Sequence, residues 1–160
     1  RVTVQSSRFG DILDHGIDVI HPPLWYAAWA LGLPAGSVPT QPLIWVIVAG
    51  YLGGRLAEVT FQGACARFSL FVWQPFDSYN RLVTARRNPN LLMLTLCVLL
   101  GAPAAGLWLV AVWTVVSTVL LWLRVGQAIA ARRSGPLVSW LQRVGQDIPV
   151  DSRAVRWFGG

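Results

Sequence analysis

The chain has 160 residues, 54% of them hydrophobic and only 12% charged, with a mean hydropathy of +0.52. This composition excludes an ordinary water-soluble domain and points to a membrane protein. All 13 basic residues are arginine and the formal charge is +6. They lie between apolar stretches instead of forming a basic stripe with exposed aromatics. Anionic lipid and phosphorylated ligands are therefore the expected partners, and nucleic acid is not.

Residues 1–10 are polar and carry Ser6, Ser7 and Gly10, the pattern of a connecting loop that feeds a helix N-terminus. Such a terminus offers free backbone N–H groups to a phosphate. The first apolar span is predicted from Asp11 to Leu33, long enough to cross a hydrocarbon core of about 30 Å. His21-Pro22-Pro23 falls in its middle and predicts a bend. At its start, Asp14 and Asp18 stand four apart, one helical turn from each other, with Asp11 on the same stripe. Stacked acids repel one another unless cations sit between them. The positive end of a helix accounts for acids in its first turn, but not for Asp18, which lies further in and leads into the apolar run.

An uncharged turn, residues 33–41, precedes a second predicted span from Pro42 to Cys65. Gly50 and Gly54 form a small-x-x-x-small pair that permits close helix contact, within the bundle by default or across a homodimer. Arg55 and Glu58 follow inside apolar sequence, where charges pair or line a wet cavity. Residues 67–90 read as an interfacial helix ending at Asn88-Pro89, with Arg81, Arg86 and Arg87 clustered and Asp77 nearby. A short third span, Asn90–Ala102, an uncharged hairpin, 101–106, and a fourth span, Leu107–Leu123, come next. Residues 135–160 alternate apolar residues with Gln and Arg and read as an amphipathic or disordered cytoplasmic tail. Cys65 and Cys97 are single, far apart and inside apolar sequence, so they read as small buried hydrophobes and not as a disulfide or metal site.

The predicted fold is an all-α polytopic bundle of about four membrane spans, residues 1–134, followed by the tail. Its connections fall into two sets. Residues 33–41 and 101–106 carry no charge, whereas residues 1–11, 67–90 and 124–156 hold every arginine except Arg55. The positive-inside rule puts the charged set in the cytoplasm and Asp11, Asp14 and Asp18 at the cytoplasmic mouth of the first span.

The register Arg1, Gly10, Asp14, Asp18 resembles the second half of the CDP-alcohol phosphatidyltransferase signature. In words, that signature is Asp, two residues, Asp-Gly, two residues, Ala-Arg, about eight residues, Gly, three residues, Asp, three residues, Asp. The resemblance covers the first 18 residues. It implies that the first half of the signature precedes Arg1 and that this chain holds spans three to six of a six-span fold. It implies transfer of a phosphatidyl group from CDP-diacylglycerol to a small alcohol or alcohol phosphate, with release of CMP, at a bacterial inner membrane and with the active site facing the cytoplasm. Asp14 and Asp18 would bind Mg²⁺ or Mn²⁺, Asp18 would also be the general base, and Arg1 and Gly10 would contact the CDP-lipid. Arg81, Arg86 and Arg87 are candidates for an acceptor phosphate, with anionic-lipid contact as their competing role. Asp11 matches no signature position. Without the missing aspartates the 160 residues alone are expected to be inactive and to bind metal weakly. Two other readings stay open: an aminoalcohol phosphotransferase using CDP-choline or CDP-ethanolamine, and a non-enzymatic transporter or assembly module, which would place its acids nearer the bilayer midplane.

Overall fold

The computed structural model describes residues 8–159; in the first helix, residues 8–15, 18 and 19 are described by their backbone alone. The described chain is helical without strands. Its order is α1 (Arg8–Leu31), α2 (Thr40–Ala64), a 3-10 turn (Leu70–Val72), α3 (Pro75–Val83), α4 (Arg87–Leu99), α5 (Pro103–Arg132), a second 3-10 turn (Trp140–Arg143) and α6 (Arg153–Phe158).

Among the described residues, two helices are long and apolar enough to cross a bilayer: α2 and α5. Their lengths fit the charge pattern. Counting 1.5 Å per residue, Arg55 and Glu58 lie about 22 and 27 Å along α2 from Thr40, and Arg124 lies about 32 Å along α5 from Pro103. The charges of both helices thus fall in the last third, or at the far edge, of a core about 30 Å thick. Apolar side chains point outward from both, including Trp45 and Leu56 on α2 and Val112 and Val119 on α5. Such a surface suits lipid and is costly in water. By contrast, α4 has 13 residues, about 20 Å of helix, short of a full crossing.

The α2–α5 pair is the spine of the fold, with α4 packed on α5 and α1 on α2. Glycine permits the close approach. A Cβ at Gly50 would stand 2.6 Å from Thr114 Cγ2, and one at Gly53 3.1 Å from Thr118 Cγ2. In the contact, Thr118 donates to the Gly50 carbonyl at 2.8 Å and Trp122 Nε1 to the Gly53 carbonyl at 3.1 Å. The tight contacts thus fall at Gly50 and Gly53, whereas Gly54, the other member of the expected pair, is buried facing Leu121 with room for a Cβ at 3.5 Å. Two apolar clusters fill the bundle. One joins Tyr26 of α1, Ile47 of α2, Leu94 of α4 and Val110 of α5. The other joins Phe61 of α2, Phe71, Trp73 and Val125 of α5.

Several expected boundaries move. Gly10 belongs to the first turns of α1 and not to a loop. The chain stays helical through His21-Pro22-Pro23. The helix expected to end at Asn88-Pro89 ends at Val83, and Pro89 lies in the first turn of α4. The reason is that N–H groups of a first helical turn have no intrahelical acceptor, so proline forfeits nothing there.

Residues beyond Gly135 are docked against the bundle. Trp140 is fully buried and donates to Ser78 Oγ of α3 at 2.9 Å. Ser139 Oγ donates to the Val72 carbonyl at 2.7 Å, and Arg143 to Gln74 Oε1 at 2.7 Å.

Candidate functional site

The corner between α3 and α4 holds the arginines. Thr84 ends α3 by donating its hydroxyl to the Asn80 carbonyl at 2.7 Å, and the Ala85 N–H donates to Ser117 Oγ of α5 at 3.0 Å. These bonds fix the short connector that carries Arg86. Arg86 then donates from Nη2 to Glu58 Oε1 of α2 at 2.6 Å, and its guanidinium lies over the Phe71 ring, 4.6 Å from the centroid. The other oxygen of Glu58 faces Arg55 at 3.6 Å, and Arg55 donates from Nε to the Tyr51 hydroxyl at 3.3 Å. One carboxylate thus holds two arginines. Arg86 Nε is buried without a hydrogen-bond partner among the described residues, an unspent donor of the kind that an anionic ligand satisfies.

Around this corner lies a cavity of about 340 Å³. Arg55, Arg81, Arg86 and Arg87 line it together with Tyr51, Leu82, Asn88 and Pro89, and α1 closes it with His21 and Pro22. The three arginines singled out from the sequence therefore share one cavity. Arg55, paired with Glu58 as one sequence reading held, lines it too. Among the described residues Glu58 is the only carboxylate against this group, while Arg81 and Arg87 make no ion pair. A space lined by four guanidinium groups favours a phosphate-bearing ligand.

The frame of α3 is set from the other side. Asp77 accepts from Arg124 Nε at 2.6 Å and Nη2 at 2.7 Å, and from the Gln74 backbone N–H at 3.0 Å. Arg124 also lies over the Trp73 ring, 4.5 Å from its centroid. The sequence placed Asp77 near the arginine cluster, but its partner is 47 residues away in α5.

Of the other sequence-derived site residues, Gly10, Asp14 and Asp18 lie on α1, and His21, which lines the cavity, follows Asp18 by one turn. The side chains of Asp14 and Asp18, and all of Arg1, lie outside the described residues. Two carboxylates one turn apart are hard oxygen donors suited to Mg²⁺ or Mn²⁺. Among the described residues, no three His, Cys, Asp or Glu side chains come together to bind a metal. Cys65 and Cys97 are free and buried.

His21, Tyr51, Asn88 and the Glu58–Arg86 pair were not legible as site features. A histidine on an apolar helix reads as a packed or hydrogen-bonded residue, and nothing in the spacing joins positions 28 apart. Comparison with protein-family models, with curated proteins and with solved structures gives no match.

Proposed function

We propose that this chain acts as an integral-membrane phosphatidyltransferase, which moves a phosphatidyl group from a CDP-linked lipid to an alcohol and releases CMP. In this reading α1 and the α4 region also span the membrane, beside α2 and α5, and the arginine cavity faces the cytoplasm. The observation that carries the proposal is the arginine-lined cavity, which meets α1 one turn beyond Asp18, the last acid of the Gly10, Asp14, Asp18 register.

The roles are those that the resemblance to the CDP-alcohol phosphatidyltransferase signature implies. Gly10 lets the backbone come close to the cytidine diphosphate, and Arg1 contacts its phosphates. Asp14 and Asp18 would hold a divalent ion, which when bound supplies charge neutralisation and Lewis-acid activation of the diphosphate. Arg81, Arg86 and Arg87 fix an acceptor that bears a phosphate, with Glu58 holding the Arg86 fork in place. Asp18 removes the proton of the acceptor hydroxyl. The freed oxygen bonds to the phosphatidyl phosphorus as its bond to the bridging oxygen of CMP breaks. CMP leaves with that oxygen, and the proton stays on Asp18 until water takes it.

The test uses the gene product, with whatever residues are encoded before Arg1, in lipid nanodiscs. CMP release from CDP-diacylglycerol is measured with glycerol phosphate, inositol phosphate, serine and phosphatidylglycerol as acceptors. The proposal expects acceptor-dependent CMP release that EDTA abolishes and Mg²⁺ or Mn²⁺ restores. No CMP release with any acceptor, or an upstream sequence lacking Asp-Gly-x-x-Ala directly before Arg1, would overturn it.

A further inference from the structure

Two apolar grooves flank the arginine cavity, and each shares a wall with it. The first, about 420 Å³, lies between α3, α4 and α5 and is lined by Leu82, Val83, Leu92, Met93 and Trp113. Leu82, Asn88 and Pro89 line both this groove and the cavity. The second, about 280 Å³, lies between α1 and α4 and is lined by Trp25 and Leu91, with His21, Pro22 and Arg87 common to it and the cavity. Both open beside the first turn of α4, Arg87-Asn88-Pro89, and both walls are almost wholly apolar. The Trp113 wall is fixed, since its Nε1 donates to the Val83 carbonyl at 2.7 Å.

A small soluble phosphate has no use for these grooves. A cationic cavity between two apolar channels matches a ligand with one anionic head and two hydrocarbon chains. From this complementarity we infer that the arginine cavity takes a diacyl phospholipid with an anionic phosphate head. The phosphate lies among Arg81, Arg86 and Arg87, and one acyl chain runs along each groove. The inference deepens the transferase reading and rests on it in one respect: there, this lipid is the acceptor, so its head must keep a free hydroxyl. Reaction would then join two lipids through one glycerol-like bridge.

The experiment titrates the full protein in detergent with dioleoyl phosphatidylglycerol, dioleoyl phosphatidylcholine or glycerol 3-phosphate, without any CDP-lipid. Bound lipid is read by native mass spectrometry and bound glycerol phosphate by equilibrium dialysis. We expect phosphatidylglycerol to bind at least tenfold more tightly than either of the others. Arg81→Gln and Arg87→Gln should each erase most of its advantage over phosphatidylcholine. Leu92→Trp and Leu91→Trp, at partly exposed groove positions that tolerate bulk, should each weaken phosphatidylglycerol at least fivefold and leave glycerol phosphate unchanged. Equal binding of glycerol phosphate and phosphatidylglycerol, or lipid binding unaffected by both Trp variants, would overturn the inference. A protein that binds phosphatidylglycerol in this pattern but releases no CMP keeps the lipid site and loses the transferase reading. One that releases CMP with glycerol phosphate alone keeps the transferase and loses the lipid site.

Discussion

Arg124 of α5 grips Asp77 of α3 through two parallel hydrogen bonds, 2.6 and 2.7 Å long, and the Asp77 side chain is only 1% exposed. Asp77 also accepts from the Gln74 N–H and so closes the N-terminal turn of the helix that carries Arg81. Removing one member of a buried pair leaves the other uncompensated, at a cost of about 3–5 kcal/mol. We expect Asp77→Ala to lower the thermal midpoint of the detergent-solubilised protein sharply. Arg124→Lys, with Asp77 kept, should also lower it, because an ammonium lacks the planar fork and its stacking on Trp73. Equal midpoints for wild type and Asp77→Ala would show that the pair holds nothing together.

The α2–α5 contact gives a second expectation. At Gly50 an added Cβ must displace buried Thr114. Overpacking of this kind costs about 1–3 kcal/mol. Gly63 lies on the same helix with nothing within 4 Å of its added Cβ, and there alanine adds helix propensity of about 1 kcal/mol. Gly50→Ala should therefore destabilise and Gly63→Ala should be neutral or stabilising, read as thermal midpoints side by side. The same sign for both would mean that Gly50 is not a packing residue.

The C-terminal segment gives a third. Trp140 fills a site beneath α3 and donates to Ser78, which itself donates to the Phe71 carbonyl at 2.8 Å. Trp140→Ala empties a fully buried indole site, a change that costs about 3–5 kcal/mol in a packed core. Trp140→Phe keeps much of the packing and forfeits the hydrogen bond, about 1–2 kcal/mol. Limited proteolysis should release the segment after Gly135 far faster in the alanine variant than in wild type, with phenylalanine between them. Unchanged proteolysis in Trp140→Ala would show that the segment is held elsewhere.

These positions mark what the sequence could convey. The α2 helix was placed within two residues at each end, because length and apolar composition suffice for a membrane-length helix. Gly50 was readable as a close-contact position from its small-x-x-x-small pairing with Gly54, whereas Gly53, which makes the other tight contact, was not. Arg81, Arg86 and Arg87 were legible as a cluster by simple proximity in the chain. The start of α4 was not, since proline ends one helix and begins another with the same covalent constraint, and only the surrounding packing decides. Nor were Asp77–Arg124, Glu58–Arg86 and Trp140–Ser78, because each joins residues that only the fold brings together. A tryptophan in a mixed polar segment reads equally as an interfacial anchor or as a core plug. At Trp140 the deciding factor is a serine 62 residues earlier.

The proposed role of Asp18 as general base is tested most directly by the single-turnover rate of CMP release from CDP-diacylglycerol at saturating Mg²⁺ and acceptor, comparing the wild-type gene product with Asp18→Asn, each checked for an unchanged thermal midpoint. Loss of a general base lowers the rate by about 10²–10⁴-fold, so a fall of at least a hundredfold is expected. Equal rates in the two proteins would contradict the proposed role.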